Sequence, residues 1–145
     1  MLSQTKAVHM LAPTSVTAAG TATGSVDTLG FDRVSIDVIQ ATADAVSNNL
    51  SVCKLSESDT TDATNYSDIT KFVGDGAGGF TIPNASTAAH QLYKFNLDVR
   101  ARKRYLKITM SPLTTQILQA VANLSRAEQL PVTATDAGVA LLVEG

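Results

Sequence analysis

The chain has 145 residues and carries 11 Lys and Arg against 13 Asp and Glu, so its net charge is −2 at pH 7. It contains a single Cys, which excludes an intramolecular disulfide and a cysteine-based zinc site and suits a reducing cytosol. No apolar run reaches the roughly 18 residues of a membrane span, and the length predicts one domain over residues 1–145.

The N-terminal stretch MLSQTKAVHMLAP has no sustained apolar segment, so no signal peptide is predicted. A tract rich in Thr, Ala and Gly follows it. Such a tract has little bulk for a core but favours extended chain, either as an edge strand or as an arm. We predict an N-terminal arm over residues 1–25.

Short strands are predicted at Val34–Val38, Leu50–Ser56 and Phe80–Ile82, where β-branched and apolar residues alternate with polar ones. Alternation in the second stretch breaks at Val52 and Cys53. A β-bulge or burial on both faces would explain the break. Cys53 is predicted to be an inert thiol in the core.

The most regular alternation lies in residues 93–110, YKFNLDVRARKRYLKITM. A period of two predicts two half-buried strands. A four-residue turn over Arg100–Lys103 would join them as a hairpin and pair Leu97 with Leu106.

The tip of this predicted hairpin carries four basic residues, Arg100, Arg102, Lys103 and Arg104. They form either a solvated turn or a contact patch for an acidic partner. Charge is also segregated along the chain, because residues 27–75 carry a net −6 and residues 76–126 a net +6. The two halves present complementary surfaces or pair internally, and the sequence leaves both open.

Residues 115–125 fit a helix through Ile117, Val121 and Leu124, but they also fit a strand. We favour the strand because short, regularly spaced strands dominate the chain. From Pro131 onwards we predict a C-terminal arm over residues 131–145. Its apolar run Val139–Val143 needs a covering surface, so Val139, Leu141 and Leu142 are predicted partner contacts.

Motifs for chemistry are weak, and we predict neither an enzyme nor a cofactor. Residues 74–79 match G-x-G-x-x-G, but Pro83 prevents the helix that a dinucleotide site needs. Asp59, Asp62, Asn65 and Asp68 could offer oxygens to calcium, although capping roles suit them better. Ser86, His90 and Asp98 lack the turn that accompanies a catalytic triad. Nucleic acid is not a predicted partner either, because the chain is acidic and the basic cluster has no aromatic platform.

Seven or eight short strands without α/β alternation predict an all-β fold. We expect an antiparallel β-sandwich, with the jelly roll as the favoured form and the two arms outside it.

Four stretches together resemble the head decoration, or cement, proteins of tailed bacteriophages: LSESDTTDATNYSDI, GGFTIPNAS, FNLDVRARKRYLKITMSP and NLSRAEQLPVTATDAG. The likeness spans most of residues 26–140. It implies a jelly-roll virion protein that is made in the bacterial cytoplasm and binds the major capsid protein on the outside of the head. A homo-oligomer, dimeric or trimeric, is expected with it. The alternative from another class is a carbohydrate- or receptor-binding sandwich of a phage tail or fibre. That alternative needs exposed aromatic residues, and the chain has no Trp and three Tyr.

Overall fold

The computed structural model describes residues 5–42, 50–83, 90–126 and 141–144. These residues form nine strands and one short 3-10 helix, Ala63–Asn65. The strands are β1 Thr5–Val16, β2 Ala22–Asp27, β3 Arg33–Thr42, β4 Leu50–Ser58, β5 Ser67–Val73, β6 His90–Asp98, β7 Tyr105–Pro112, β8 Gln116–Ser125 and β9 Leu141–Glu144. The all-β prediction is confirmed. Within the described ranges, no helix is long and apolar enough to cross a bilayer.

The strands form two sheets that pack face to face. The five-stranded sheet has the order β1-β8-β3-β6-β9, and the four-stranded sheet has the order β2-β7-β4-β5. Neighbouring strands are antiparallel, except that β9 runs parallel to β6. Strands 1-8-3-6 opposite strands 2-7-4-5 make the double Greek key of an eight-stranded jelly roll. The predicted sandwich is confirmed, and β9 adds a strand at one edge.

Alternating residues of both sheets fill the space between them. Phe95 lies near the centre of this core, with its ring edge-to-face against Phe72 at 5.6 Å and tilted against Phe80 at 5.3 Å. Four strands contribute runs of alternate buried side chains. These are Val34, Ile36 and Val38 of β3; Tyr93, Phe95 and Leu97 of β6; Leu106, Ile108 and Met110 of β7; and Leu118, Ala120, Ala122 and Leu124 of β8. The alternation in residues 93–110 therefore predicted the buried faces correctly.

The predicted hairpin is wrong, because β6 and β7 lie in different sheets. Leu97 pairs with Val34 of β3, and Leu106 pairs with Val26 of β2. The connection from Val99 to Arg104 crosses from one sheet to the other. A period of two determines which side chains point inward, but it is the same for strands that pair and for strands that face each other.

The predicted N-terminal arm is also wrong over residues 5–25, which form β1, most of β2 and the turn between them. The alternative of an edge strand is confirmed, because β1 and β2 each lie at an edge of their sheet. Met10 and Val26 are among the buried core residues of these strands. Small residues are needed because the two strands come together where the sheets meet: a Cβ at Gly24 would lie 1.9 Å from the carbonyl oxygen of Met10. Residues 1–4 lie outside the described residues.

The C-terminal apolar run has a cover within its own chain. β9 pairs with β6, with Leu141 beside Tyr93 and Val143 beside Phe95. Val143 is buried, and Leu141 packs against the core. The chain itself therefore covers Leu141 and Val143, whereas Leu142 is half-buried and its contact with a partner stays a prediction. Val139 and the rest of the predicted arm before Leu141 lie outside the described residues.

Two predictions for single strands are confirmed and one is wrong. Residues 116–125 form the strand β8 rather than a helix. The register of β4 shifts between Leu50 and Val52, as the broken alternation predicted. The strand predicted at Phe80–Ile82 is reduced to an isolated bridge between Gly74 and Phe80.

Cys53 is 1% exposed, and burial raises the pKa of its thiol to about 12. A thiol with that pKa holds almost no thiolate at neutral pH. The structure therefore supports the prediction of an inert core cysteine.

Candidate binding surface at the loop end

Three connections and the end of one strand meet at one end of the sandwich, which we call the loop end. They are the β2–β3 loop, the β4–β5 loop, the β6–β7 connection and Arg126 after β8. Together they surround an open cleft of about 490 Å³. Four arginines line it, Arg100, Arg102, Arg104 and Arg126, together with Leu29, Phe31, Val99, Asp32 and Asp59.

Two of these arginines are held by carboxylates in two-pronged pairs. The Nε of Arg104 donates to Oδ1 of Asp27 at 2.9 Å, and its Nη2 donates to Oδ2 at 2.6 Å. Arg100 makes the same kind of pair with Asp98 through Nε and Nη2. Because Arg104 donates to it, the Asp27 carboxyl has its pKa lowered to about 2. The hydrogen bonds from Arg100 likewise lower the pKa of Asp98.

Glu57, at the end of β4, holds the middle of the β6–β7 connection. Its Oε1 lies 3.7 Å from Nη1 of Arg102, and its Oε2 accepts the backbone N–H of Lys103 at 3.3 Å. The Lys103 ammonium makes no ion pair with another described residue. The four basic residues of the predicted tip therefore do come together, but at a crossing between sheets and mostly with carboxylate partners.

This pairing decides between the two interpretations of the segregated charge. Arg104 with Asp27, Arg102 with Glu57 and Lys94 with Asp37 each join a basic residue of 76–126 to an acidic residue of 27–75. The two charged halves interleave in space, and much of their difference is neutralised inside the molecule.

Two side chains of the loop end were missed by the sequence analysis. Arg126 is exposed, its Nε donates to the Gly30 carbonyl at 2.9 Å, and it makes no ion pair with any other described residue. Leu29 is 66% exposed. The turn that presents Leu29 is firmly held, because Asp27 Oδ1 accepts its N–H and Gly30 follows with a φ of 87°. Only the jelly-roll topology brings the end of β8 to this turn, so no local sequence signal could have found the pair.

The arginines determine which hydrogen bonds this cleft can offer a ligand. Arginine stays protonated in proteins, so the cleft offers hydrogen-bond donors and no acid–base group from its basic residues. The pairs with Asp27 and Asp98 use the Nε and Nη2 side of each guanidinium. The Nη1 groups of Arg100 and Arg104 make no hydrogen bond to another described residue, and both arginines line the cleft together with Leu29.

Leu141 and Leu142, the two predicted C-terminal contacts that the structure describes, are not part of this surface. Leu141 and Leu142 lie in β9, at the level of Tyr93 and Lys94. Tyr93 is five positions before Asp98 in β6, or roughly 17 Å from the loop end at about 3.3 Å per residue. The structure thus separates the predicted C-terminal contacts from the basic residues.

Two of the acidic residues that were considered and disfavoured as calcium ligands have other roles. Asp62 caps the 3-10 helix by accepting the Thr64 N–H at 3.0 Å, and Asp68 pairs with Lys54 at 2.8 Å. No three His, Cys, Asp or Glu side chains come together as a metal site in the part of the chain that the structure describes. Of the Ser86, His90 and Asp98 set, Ser86 lies outside that part.

Comparison with known proteins gives no family. No family model matches the chain, and no curated protein matches it. One solved structure that it resembles is a family GH115 4-O-methyl-α-glucuronidase, BtGH115A, described as specific for decorated arabinogalactans. The two share 12% identity and a TM-score of 0.39 over 83% of this chain, which spans 16% of the length of that protein. A similarity this low has no bearing on function.

The lowered pKa of Asp27 predicts a pH dependence of stability. Its folded pKa of about 2 lies below the ordinary 3.8, so the Arg104–Asp27 pair stabilises the fold above about pH 4 and loses its effect as the pH falls towards 2. The side chain is 42% exposed, so we expect less than about 1 kcal/mol. Urea unfolding of wild type and Asp27→Asn from pH 2 to 6 measures it. The two midpoints should differ at pH 6 and converge at pH 2, and a constant difference would contradict the assignment.

Proposed function

We propose that this protein is a capsid decoration protein of a tailed bacteriophage, which binds the major capsid protein on the outside of the head through its loop end. The sequence resemblance suggests the class, and the jelly roll is an architecture that viral capsid domains use. Because one fold serves many functions, the proposal depends on the loop end itself. The observation that carries it is the exposed Leu29 next to Arg126 and the partly free guanidinium groups.

A surface of this composition suits a protein partner. Interfaces between proteins are enriched in arginine and have an apolar centre with a polar rim. Leu29 can occupy an apolar depression on a capsid subunit, while Arg126 and the Nη1 groups of Arg100 and Arg104 reach backbone carbonyls or carboxylates around it. The turn of Leu29 is already held by Asp27, so little conformational entropy is lost when it binds.

The neutralised arginines change the expected salt dependence. An unpaired basic cluster would attract an acidic partner at long range, and salt would screen that attraction over a Debye length of about 8 Å. Here Arg100, Arg102 and Arg104 already have carboxylate partners. Affinity therefore comes from apolar contact and directed hydrogen bonds, and capsid binding should weaken only slightly as salt is raised.

The repeated lattice of a head adds to a modest affinity. Each head presents many equivalent sites, and a dimer or trimer of this protein would attach at several of them together. Linked attachment can raise apparent affinity by about 10²–10⁴ without new contacts. The predicted homo-oligomer and the location on the virion surface are parts of this proposal.

The decisive experiment uses heads assembled without the protein and compares Leu29→Asp with Leu113→Asp. Both leucines are at least half exposed, at 66% and 50%, but Leu113 follows β7 at the opposite end of the sandwich. Co-sedimentation with the heads should show at least about tenfold weaker binding for Leu29→Asp, since a buried carboxylate is costly. Leu113→Asp should bind like wild type.

The outcomes separate the function from the site. Wild-type protein that never sediments with the heads rules out the decoration role. Wild-type binding that both variants retain, or that both lose equally, leaves the role in place and rejects the loop end as the contact. An Arg126→Ser variant is a second test of the loop end, and its co-sedimentation with the heads should also weaken. This side chain has no ion pair to a described carboxylate, so its removal breaks no ion pair of the fold.

A further inference from the structure

We propose a second binding site, on the outer face of the four-stranded sheet, that takes a carboxylated sugar residue of a glycan. It is a shallow pocket of about 150 Å³ between β2 and the β4–β5 loop. The residues that line it are Thr23, Gly24, Ser25, Thr61, Ala63, Tyr66 and Lys107. The site shares no residue with the loop-end cleft and does not depend on the capsid proposal.

The strand register puts the polar residues of this pocket side by side. Lys107 points outward from β7 and pairs with Ser25 of β2, while Thr23 pairs with Thr109 on the same face. The opposite wall is the β4–β5 loop, which brings Tyr66 over β7. The ammonium of Lys107 lies 4.2 Å from the centre of the Tyr66 ring.

The β4–β5 loop is fixed by its own hydrogen bonds. Asp62 caps the 3-10 helix, Asn65 Nδ2 donates to Thr60 Oγ1 at 3.1 Å, and the Thr60 N–H donates to Ser58 Oγ at 3.1 Å. These contacts explain the polar sequence of residues 59–66 without calcium. They also position the Tyr66 ring before any ligand arrives, which lowers the entropic cost of binding.

Lys107 and Tyr66 can both donate hydrogen bonds to a ligand in the pocket. Lys107 makes no ion pair with a described carboxylate, so its ammonium hydrogens can reach an anion while the ring of Tyr66 holds it in place. The hydroxyl of Tyr66 is a donor at neutral pH, as that of any tyrosine is, and burial and the nearby phenol of Tyr105 raise its pKa further. Tyr66 and Tyr105 are the two half-buried tyrosines of the chain, and they meet on this face.

The hydroxyl side chains that line the pocket indicate which class of ligand it binds. Thr23, Ser25 and Thr61 are exposed and make no side-chain hydrogen bond to another described residue. A hydroxyl both donates and accepts, as the hydroxyls of a sugar do, whereas phosphate and carboxylate anions only accept. One ammonium among three free hydroxyls and a tyrosine therefore fits a sugar ring with a single carboxylate better than a bare anion.

The experiment is a titration of uniformly ¹⁵N-labelled full-length protein with D-glucuronate, D-glucose and inorganic phosphate, followed by amide chemical shifts. Glucuronate should shift the amides of Thr23, Ser25, Tyr66 and Lys107 with a dissociation constant of about 1 mM, as for a small shallow site. Glucose should bind at least about tenfold more weakly, because it leaves the ammonium without a partner.

Two variants and a matched control complete the test. Lys107→Gln and Tyr66→Leu should each weaken glucuronate binding about tenfold while the other amide signals stay dispersed. Lys71→Gln removes the same charge from the exposed lysine of β5 and should leave binding unchanged. No shifts with glucuronate, phosphate binding as tight as glucuronate, or equal losses in Lys71→Gln would each overturn the proposal.

Discussion

Removal of residues 1–16 is expected to abolish folding. These residues include all of β1, which pairs with β8 from Thr5 opposite Ser125 to Val16 opposite Gln116. Met10 and Val16 are buried, and each contributes about 1.5–3 kcal/mol by leaving water. Val8 and Leu11 add partial burial. This sum approaches the total stability of about 5–15 kcal/mol of an ordinary domain.

The loss would also expose a new sheet edge. Without β1, the backbone N–H and C=O groups of β8 lose their partners along an apolar strand, which is a template for aggregation. We expect insoluble protein, or soluble protein without dispersed amide signals and without a cooperative urea transition. The control is removal of residues 1–4, which leaves every described residue in place and should leave the transition intact. A cooperative transition after removal of 1–16 would restore the interpretation of this segment as an arm.

Removal of residues 141–145 should be far milder. It takes away the four paired residues of β9 and one buried side chain, Val143. The jelly roll of eight strands remains complete. The truncated protein should therefore fold, with a lower urea midpoint than wild type.

Phe95→Ala should cost about 3–5 kcal/mol of stability, as truncations of buried Phe do. The side chain is 0% exposed and contacts the rings of Phe72 and Phe80 at the centre of the core. Alanine leaves a cavity between two sheets, and neither sheet can collapse into it without breaking strand pairs. With an m-value of about 2 kcal/mol/M, the urea midpoint should fall by about 2 M.

The control for this substitution is Leu113→Ala, at a side chain that is 50% exposed. Surface truncations change stability by about 0.5 kcal/mol or less, so its midpoint should match that of wild type. Equal midpoints for Phe95→Ala and Leu113→Ala would mean that Phe95 does not lie at the centre of the core.

The sequence was sufficient to predict which faces of the strands are buried, but not which strands pair with each other. Tyr93, Phe95 and Leu97 point inward as their alternation predicted. The same alternation fits a partner strand beside them or a facing strand across the core, so the hairpin between residues 93 and 110 was an equally good solution of the pattern. In the structure β6 pairs with β3 and β9, which are distant from it in the chain.

The N-terminal error has a different cause. Few large apolar residues in a stretch normally mean that it cannot build a core. In this chain the small residues meet another element at close range, as Gly24 does against Met10. Composition alone does not distinguish a segment that packs tightly from one that does not pack.

Both candidate sites depend on contacts between distant segments. Arg104 and Asp27 are separated by 77 positions, and the contact between Tyr66 and Lys107 joins the β4–β5 loop to β7. The sequence predicted the basic cluster because its four residues lie within five positions of the chain. It could not predict the carboxylates that neutralise this cluster, nor the lysine under Tyr66.

The strand order also determines when each strand can pair as the chain is synthesised. Among the described strands, β4 and β5 are the one pair of consecutive strands that bond to each other, so nearly every other pairing joins distant segments and folding is expected to be slow. β1 leaves the ribosome before the other described strands, but its partner β8 is completed only at Ser125. At about 5–20 residues per second, β1 waits on the order of ten seconds in an unpaired state. Most of its side chains are exposed even in the folded protein, so we expect the waiting strand to offer little apolar surface for association with other nascent chains.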